Sequence, residues 1–128
     1  CYYTRMDSQK KILMVEDDEF IRELYQRQLE QAGFNIQSTA SGQEGLDLLD
    51  KNDYDLLMLD LNIPDVSGFQ ILEHLQKNPK ESMQILILSN VAQDEYIQKG
   101  IDMGAQAFVI KSTYTPSQVV SQVKDLLG

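Results

Sequence analysis

The sequence predicts an α/β domain built as a doubly wound sheet of five parallel strands flanked by five helices. Three observations carry this reading. Short apolar runs rich in branched residues recur along the chain, and stretches with helical spacing separate them. Strand-like runs alternating with helical patterns mark βα units, whose helical crossovers leave consecutive strands parallel. The length of 128 residues leaves no room for a second domain. It suffices for one core that buries about two-thirds of the surface exposed by the unfolded chain, so folding needs neither disulfide nor metal. Residues 1–9 read as an N-terminal extension or remnant, and residues 10–128 as the domain.

The elements follow in order. Ile12, Leu13, Met14 and Val15 are apolar on consecutive residues, as in a strand covered on both faces. In the helix that follows, Phe20, Ile21, Leu24, Tyr25, Leu29 and Ala32 read as one apolar stripe, and Gly33 is placed to end it. Residues 34–39 alternate apolar and polar, which predicts an edge strand. Ser41 and Glu44 have capping-box spacing and open a short helix through Leu46 and Leu49 to Lys51. A polar turn from Asn52 leads into strand three, residues 56–59, which ends at Asp60. The loop 64–68 feeds a helix carrying Phe69, Ile71, Leu72 and Leu75, and strand four covers residues 85–88. Helix four, about residues 92–103, is expected to bury Tyr96, Ile97 and Ile101 and to close at Gly104. Residues 107–110 form strand five. Thr115 is an N-cap ahead of Pro116, and Val119, Val120, Val123, Leu126 and Leu127 face the core.

Composition removes several function classes. With 11 Lys and Arg against 20 Asp and Glu, the formal charge is −9. A negative surface repels phosphate backbones, and the basic residues are scattered, so direct nucleic-acid binding is not expected. No apolar run approaches the roughly 18 residues of a membrane span, and the first ten residues hold no apolar core of a secretory signal. The single cysteine, Cys1, has no internal partner, and none of the five asparagines begins a glycosylation signal. A cytoplasmic, reducing setting is the expectation.

In an open parallel sheet the ligand crevice lies beyond the carboxyl ends of the strands, where the strand order reverses. Strand one runs into Glu16, Asp17 and Asp18, strand three into Asp60, strand four into Ser89 and strand five into Lys111. If the order is 2-1-3-4-5, strands one and three are neighbours and their acids meet at the reversal. Clustered carboxylates raise one another's pKa, and a divalent cation relieves them. The available ligands are oxygens, and the sole histidine, His74, lies in the third helix. The expected ion is therefore Mg²⁺ rather than zinc. Lys111 supplies a point charge for Asp60 or for an anionic oxygen beside it, and Ser89 a hydroxyl for the same oxygen. Taken singly, the acidic triple reads as a solvated turn with Asp18 as N-cap, Lys111 as a solvated strand end, Ser89 as loop and Phe108 as core. The coincidence of four strand ends at one edge favours chemistry.

These segments resemble a bacterial response-regulator receiver domain over about residues 11–127. The matching pieces are residues 12–18, the Asp60-Leu61-Asn62-Ile63-Pro64 segment with Gly68 after it, Leu88-Ser89, and residues 108–111. The resemblance implies a flavodoxin-like sheet of order 2-1-3-4-5. It implies Asp60 as phosphoacceptor, receiving a phosphoryl group from a phosphohistidine on a sensor histidine kinase or phosphotransfer protein. It makes Asp17 the direct Mg²⁺ ligand, Glu16 a ligand through water and the Asn62 backbone carbonyl a further ligand. Lys111 contacts the phosphoryl group, while Ser89 and Phe108 form the switch that alters the surface of helix four, strand five and helix five. An output domain or downstream protein, and a homodimer through that surface, are partners the resemblance allows. The role is regulatory, the domain assisting its own phosphorylation and dephosphorylation. Three residues depart from the family pattern: Ser112 where proline follows the lysine, Asn90 where a small residue follows the serine, and Phe108 without a tyrosine hydroxyl.

Two other readings stand beside this one. A haloacid-dehalogenase-type phosphatase also uses a strand-end aspartate with Mg²⁺, but its general acid would fall at Asn62, which has no carboxyl proton to give. A receiver-like interaction module that no longer accepts phosphate is the second, kept in view by Asn90 and Ser112.

Overall fold

The computed structural model describes residues 9–90 and 94–128. Strands and helices alternate in chain order as β1 (Lys11–Val15), α1 (Glu19–Gln31), β2 (Asn35–Thr39), α2 (Gly42–Lys51) and β3 (Leu56–Asp60). They continue as α3 (Gly68–Lys77), β4 (Gln84–Ser89), α4 (Asp94–Asp102), β5 (Ala107–Ile110) and α5 (Pro116–Leu127). The strands pair in parallel in the order β2-β1-β3-β4-β5, with β2 at one edge as its alternating pattern predicts.

The consecutive apolar runs are explained by two separate cores. Side chains alternate faces along a strand. Ile12 and Met14 therefore join Tyr25, Leu29, Val119 and Val123 beneath α1 and α5. Leu13 and Val15 join Leu49, Ile71, Leu72 and Leu75 on the face covered by α2 and α3. Helix ends follow local chemistry. Asp18, Ser41, Ser67 and Thr115 each accept a backbone N–H of the helix they cap. Gly33 and Gly104 end their helices at φ 97° and 109°, a region glycine enters without strain.

Two expectations of burial are corrected. Phe20 is 73% exposed, although the sequence places it in the apolar stripe of α1. At about 100° per residue, the nine positions between Phe20 and Leu29 amount to two and a half turns. The two side chains therefore point in opposite directions. In α4, Tyr96 and Ile101 are 40% and 47% exposed rather than buried, and Ile97 is half-buried. The residue that faces the sheet is Gly100, where an added Cβ would meet Ile87 Cδ1 at 2.4 Å. The helix backbone packs there directly, leaving its bulky side chains on the flanks, where Tyr96 stacks on Phe69 of α3 with ring centroids 6.0 Å apart. The expected start of this helix at residue 92 lies outside the described residues.

Candidate functional site

Register brings the site together. Val15 pairs with Leu59, so the next residues, Glu16 and Asp60, leave the sheet side by side at the reversal between β1 and β3. Asp60 pairs with Leu88, and Ser89 pairs with Ile110, which puts Lys111 one residue beyond the end of β5 at the same edge. Alternation then sends Glu16, Asp60 and Lys111 toward the α1/α5 side of the sheet.

Lys111 Nζ donates to Glu16 Oε1 at 2.7 Å and to Asp60 Oδ2 at 3.3 Å. All three side chains are withdrawn from solvent: Glu16 is fully buried, Asp60 is 3% exposed and the Lys111 side chain 7%. Asp60 Oδ1 accepts the Asn62 N–H at 3.0 Å, and Glu16 Oε2 accepts the Asp18 N–H at 3.1 Å. Asp17 is exposed at the rim. Among the described residues, Glu16, Asp17 and Asp60 form a group whose carboxylate oxygens lie within 4.8 Å of one another.

The electrostatics follow from that crowding. Burial, then the hydrogen bond and charge of Glu16, push the Asp60 carboxyl up to about 6, against the Asn62 N–H and Lys111, which lower it. Asp17 is also raised, by desolvation first and then by Asp60. Burial alone would lower Lys111, but its contacts with Glu16 and Asp60 outweigh this and raise it, so it stays an ammonium. Three carboxylates therefore face one cation. An all-oxygen set with excess negative charge suits a hard divalent ion. His74 takes no part and pairs with Asp50 at 3.1 Å.

The remaining candidates stand around this centre. Ser89 is 1% exposed, and its carbonyl accepts the Lys111 N–H at 2.7 Å. Phe108 pairs with Ile87, two residues before Ser89, so Ser89 and Phe108 share a sheet face. Phe108 is half-buried against the α2/α3 core and borders Gly100 of α4. Asn62 and Asn90 are exposed. After Lys111 the chain turns through Ser112 with Thr113 and Tyr114 both donating to the Ile110 carbonyl, and then reaches the capping box of α5.

Four residues have supporting roles that the sequence does not reveal. Arg22 donates to the Glu16 carbonyl at 2.9 Å and the Asp17 carbonyl at 3.4 Å, tying α1 to the end of β1. Leu61 and Ile63 are buried, so the segment after Asp60 is anchored rather than loose. Asp65, within the loop before α3, binds the first turn of α2. Of these, only the buried Leu61 and Ile63 had a local signal, apolar residues inside a loop.

Residues 12–124 match the family described as response regulator receiver domain. The cell cycle response regulator CtrA of Brucella ovis is 39% identical over 101 residues, covering 79% of this chain and 43% of that protein. The chain thus spans less than half of the curated relatives it matches. A CheY-like receiver domain protein from Methanospirillum hungatei superposes with a TM-score of 0.86 at 28% identity over 94% of each chain. The chemotaxis response regulator CheY4 of Vibrio cholerae gives 0.85 at 25% identity, covering 93% of this chain and 99% of that one.

Proposed function

The chain belongs to the family of response regulator receiver domains, and from that premise we propose that Asp60 accepts a phosphoryl group from a phosphohistidine on a sensor histidine kinase or phosphotransfer protein. The observation that carries this reading is a strand-end carboxylate, 3% exposed, raised to about 6 and standing 3.3 Å from a buried ammonium.

The residues fit Mg²⁺, which Asp17, Asp60, the Asn62 backbone carbonyl and, through water, Glu16 would hold. When bound, the ion supplies positive charge to the phosphoryl oxygens. Asp60 is the nucleophile: one carboxylate oxygen attacks phosphorus, the new O–P bond forms as the P–N bond of the phosphohistidine breaks, and the imidazole leaves with the bonding pair. Lys111, kept cationic by its two carboxylates, meets a phosphoryl oxygen beside Asp60. Ser89 turns its hydroxyl to another, and Phe108 moves into the space that Ser89 leaves, changing the surface of α4, β5 and α5. Because Phe108 has no hydroxyl to desolvate, its inward position costs less than that of a tyrosine.

That surface acts on an output domain, a downstream protein or a second copy of the chain. The domain assists its own dephosphorylation, works in the cytoplasm and contacts no nucleic acid itself. Among the described residues no helix is long and apolar enough to cross a membrane.

The test is incubation with Mg²⁺ and acetyl phosphate, read by intact mass. One added phosphoryl group is expected on the wild type and none on Asp60→Asn. A wild type without adduct would refute the phosphoacceptor role and leave the interaction module. An adduct on Asp60→Asn would overturn the site.

A further inference from the structure

A carboxylate outside the acidic cluster joins the two loops that border it. Asp65 Oδ2 accepts the Ser41 hydroxyl at 2.7 Å and the Gln43 N–H at 3.1 Å, while Oδ1 accepts the Gly42 N–H at 2.9 Å. The two N–H groups belong to the first turn of α2, where they have no partner within the helix. Ser41 meanwhile caps the same helix through the Glu44 N–H. These donors hold the Asp65 carboxyl well below the usual carboxylate range. The fit is close: a Cβ on Gly42 would lie 2.4 Å from the Val66 carbonyl oxygen. Residue 42 must therefore lack a side chain for the loop to rest here.

Both joined segments lead to the cluster. Toward Asp60, the loop gives the Asn62 N–H to Oδ1 at 3.0 Å and buries Leu61 and Ile63. Toward α3, the Gly68 N–H closes on the Leu61 carbonyl at 3.1 Å. On the other side, the Ser41 N–H donates to Thr39 Oγ1 at 3.1 Å, and the Thr39 carbonyl accepts the Glu16 N–H at 3.0 Å. A continuous path of hydrogen bonds and short chain segments thus runs from Glu16 through Thr39, Ser41 and Asp65 to Asp60.

We infer that Asp65 is a positioning residue for the phosphoacceptor: it pins the 61–67 loop to the first turn of α2 and so keeps the Asn62 N–H on Asp60. The inference rests on the reading of Asp60 as phosphoacceptor and adds a residue remote from the reacting atoms. A simple cap would be felt at α2 alone, whereas a pin is felt at Asn62.

Amide hydrogen exchange by NMR, without metal, separates the two. In Asp65→Ala, exchange at Asn62 should quicken about fivefold relative to the core amide of Ile87, the factor that a lost cap of ordinary strength corresponds to. The same variant should need more Mg²⁺ for half-maximal labelling by acetyl phosphate. Asp65→Asn keeps one acceptor oxygen and should shift both readouts in the same direction by less. Faster exchange at Gly42 and Gln43 with Asn62 unchanged would overturn the pin and leave a cap. If the wild type takes no label, the phosphoacceptor reading falls, while exchange at Asn62 still decides the pin. Should Asp65→Ala fail to fold, Asp65→Asn decides it by the same measurements.

Discussion

Replacing Asp60 with asparagine in the metal-free protein should raise stability by an amount set by the electrostatics of the site. Burial and Glu16 raise this carboxyl from its ordinary 3.8 to about 6. A difference of about 2 units at about 1.36 kcal/mol each disfavours the ionised form in the folded state by about 3 kcal/mol. Between the two values the folded protein holds a proton that the unfolded chain has released. Stability therefore falls as pH rises through that window, with about half of the loss reached near pH 5 and all of it above the folded value. Asparagine carries no charge and keeps an oxygen for the Asn62 N–H, while Lys111 retains Glu16 at 2.7 Å. The expected gain is about 1–3 kcal/mol near pH 7.5 and about half as much near pH 5. Urea unfolding with EDTA at the two pH values measures it. A gain that is flat with pH, or a loss near neutrality, would refute the assignment of cost to the Asp60 charge. Added Mg²⁺ should narrow the gap, since it stabilises the wild type, whose Asp60 carboxylate binds it better than asparagine does.

Lys111→Met should cost about 3–5 kcal/mol at neutral pH by leaving Glu16 and Asp60 buried without their cation, and it should abolish labelling by acetyl phosphate. Equal urea midpoints for this variant and the wild type would count against the buried pair. Gly68→Ala should lower the melting temperature and slow phosphorylation together, because the new Cβ would lie 2.6 Å from the Asp60 carbonyl oxygen and 2.7 Å from Leu61 Cα. A variant with wild-type melting and labelling would show that the loop has slack. Phe20→Ser, at a side chain 73% exposed, should change stability by no more than about 0.5 kcal/mol. A loss of several kcal/mol would restore Phe20 to the core.

Most of the fold was legible because strands with apolar residues on both faces leave unbroken apolar runs, and because Gly33, Gly104 and Thr115-Pro116 mark helix ends by local chemistry. The grouping of the candidate residues was legible for the same reason, since four strand ends can be located without knowing any side-chain contact. The failures were non-local. The burial of Gly100 is set by Ile87 on another element, and glycine carries no apolar signal of its own. Phe20 is the local exception: it stands two and a half turns before Leu29, on the opposite side of α1 from the core. Asp65 finds its partners 22–24 residues away, and an aspartate after proline in a loop announces nothing about them.

Asp60 and Asp65 show how environment divides two carboxylates five residues apart. Asp65 is exposed and accepts two backbone N–H groups and a hydroxyl, so its charge is satisfied and its carboxyl is held low. A carboxylate so fully engaged makes a good joint and a poor nucleophile. Asp60 is buried, takes one N–H at 3.0 Å, and has a share in an ammonium that lies closer to Glu16 than to itself, at 2.7 Å against 3.3 Å. Its charge is under-compensated, which is why its carboxyl is raised and why the folded state loses stability when it ionises. The same shortfall leaves Asp60 open to a cation and to an electrophilic phosphorus. The geometry that costs the fold stability is the geometry that the proposed chemistry uses.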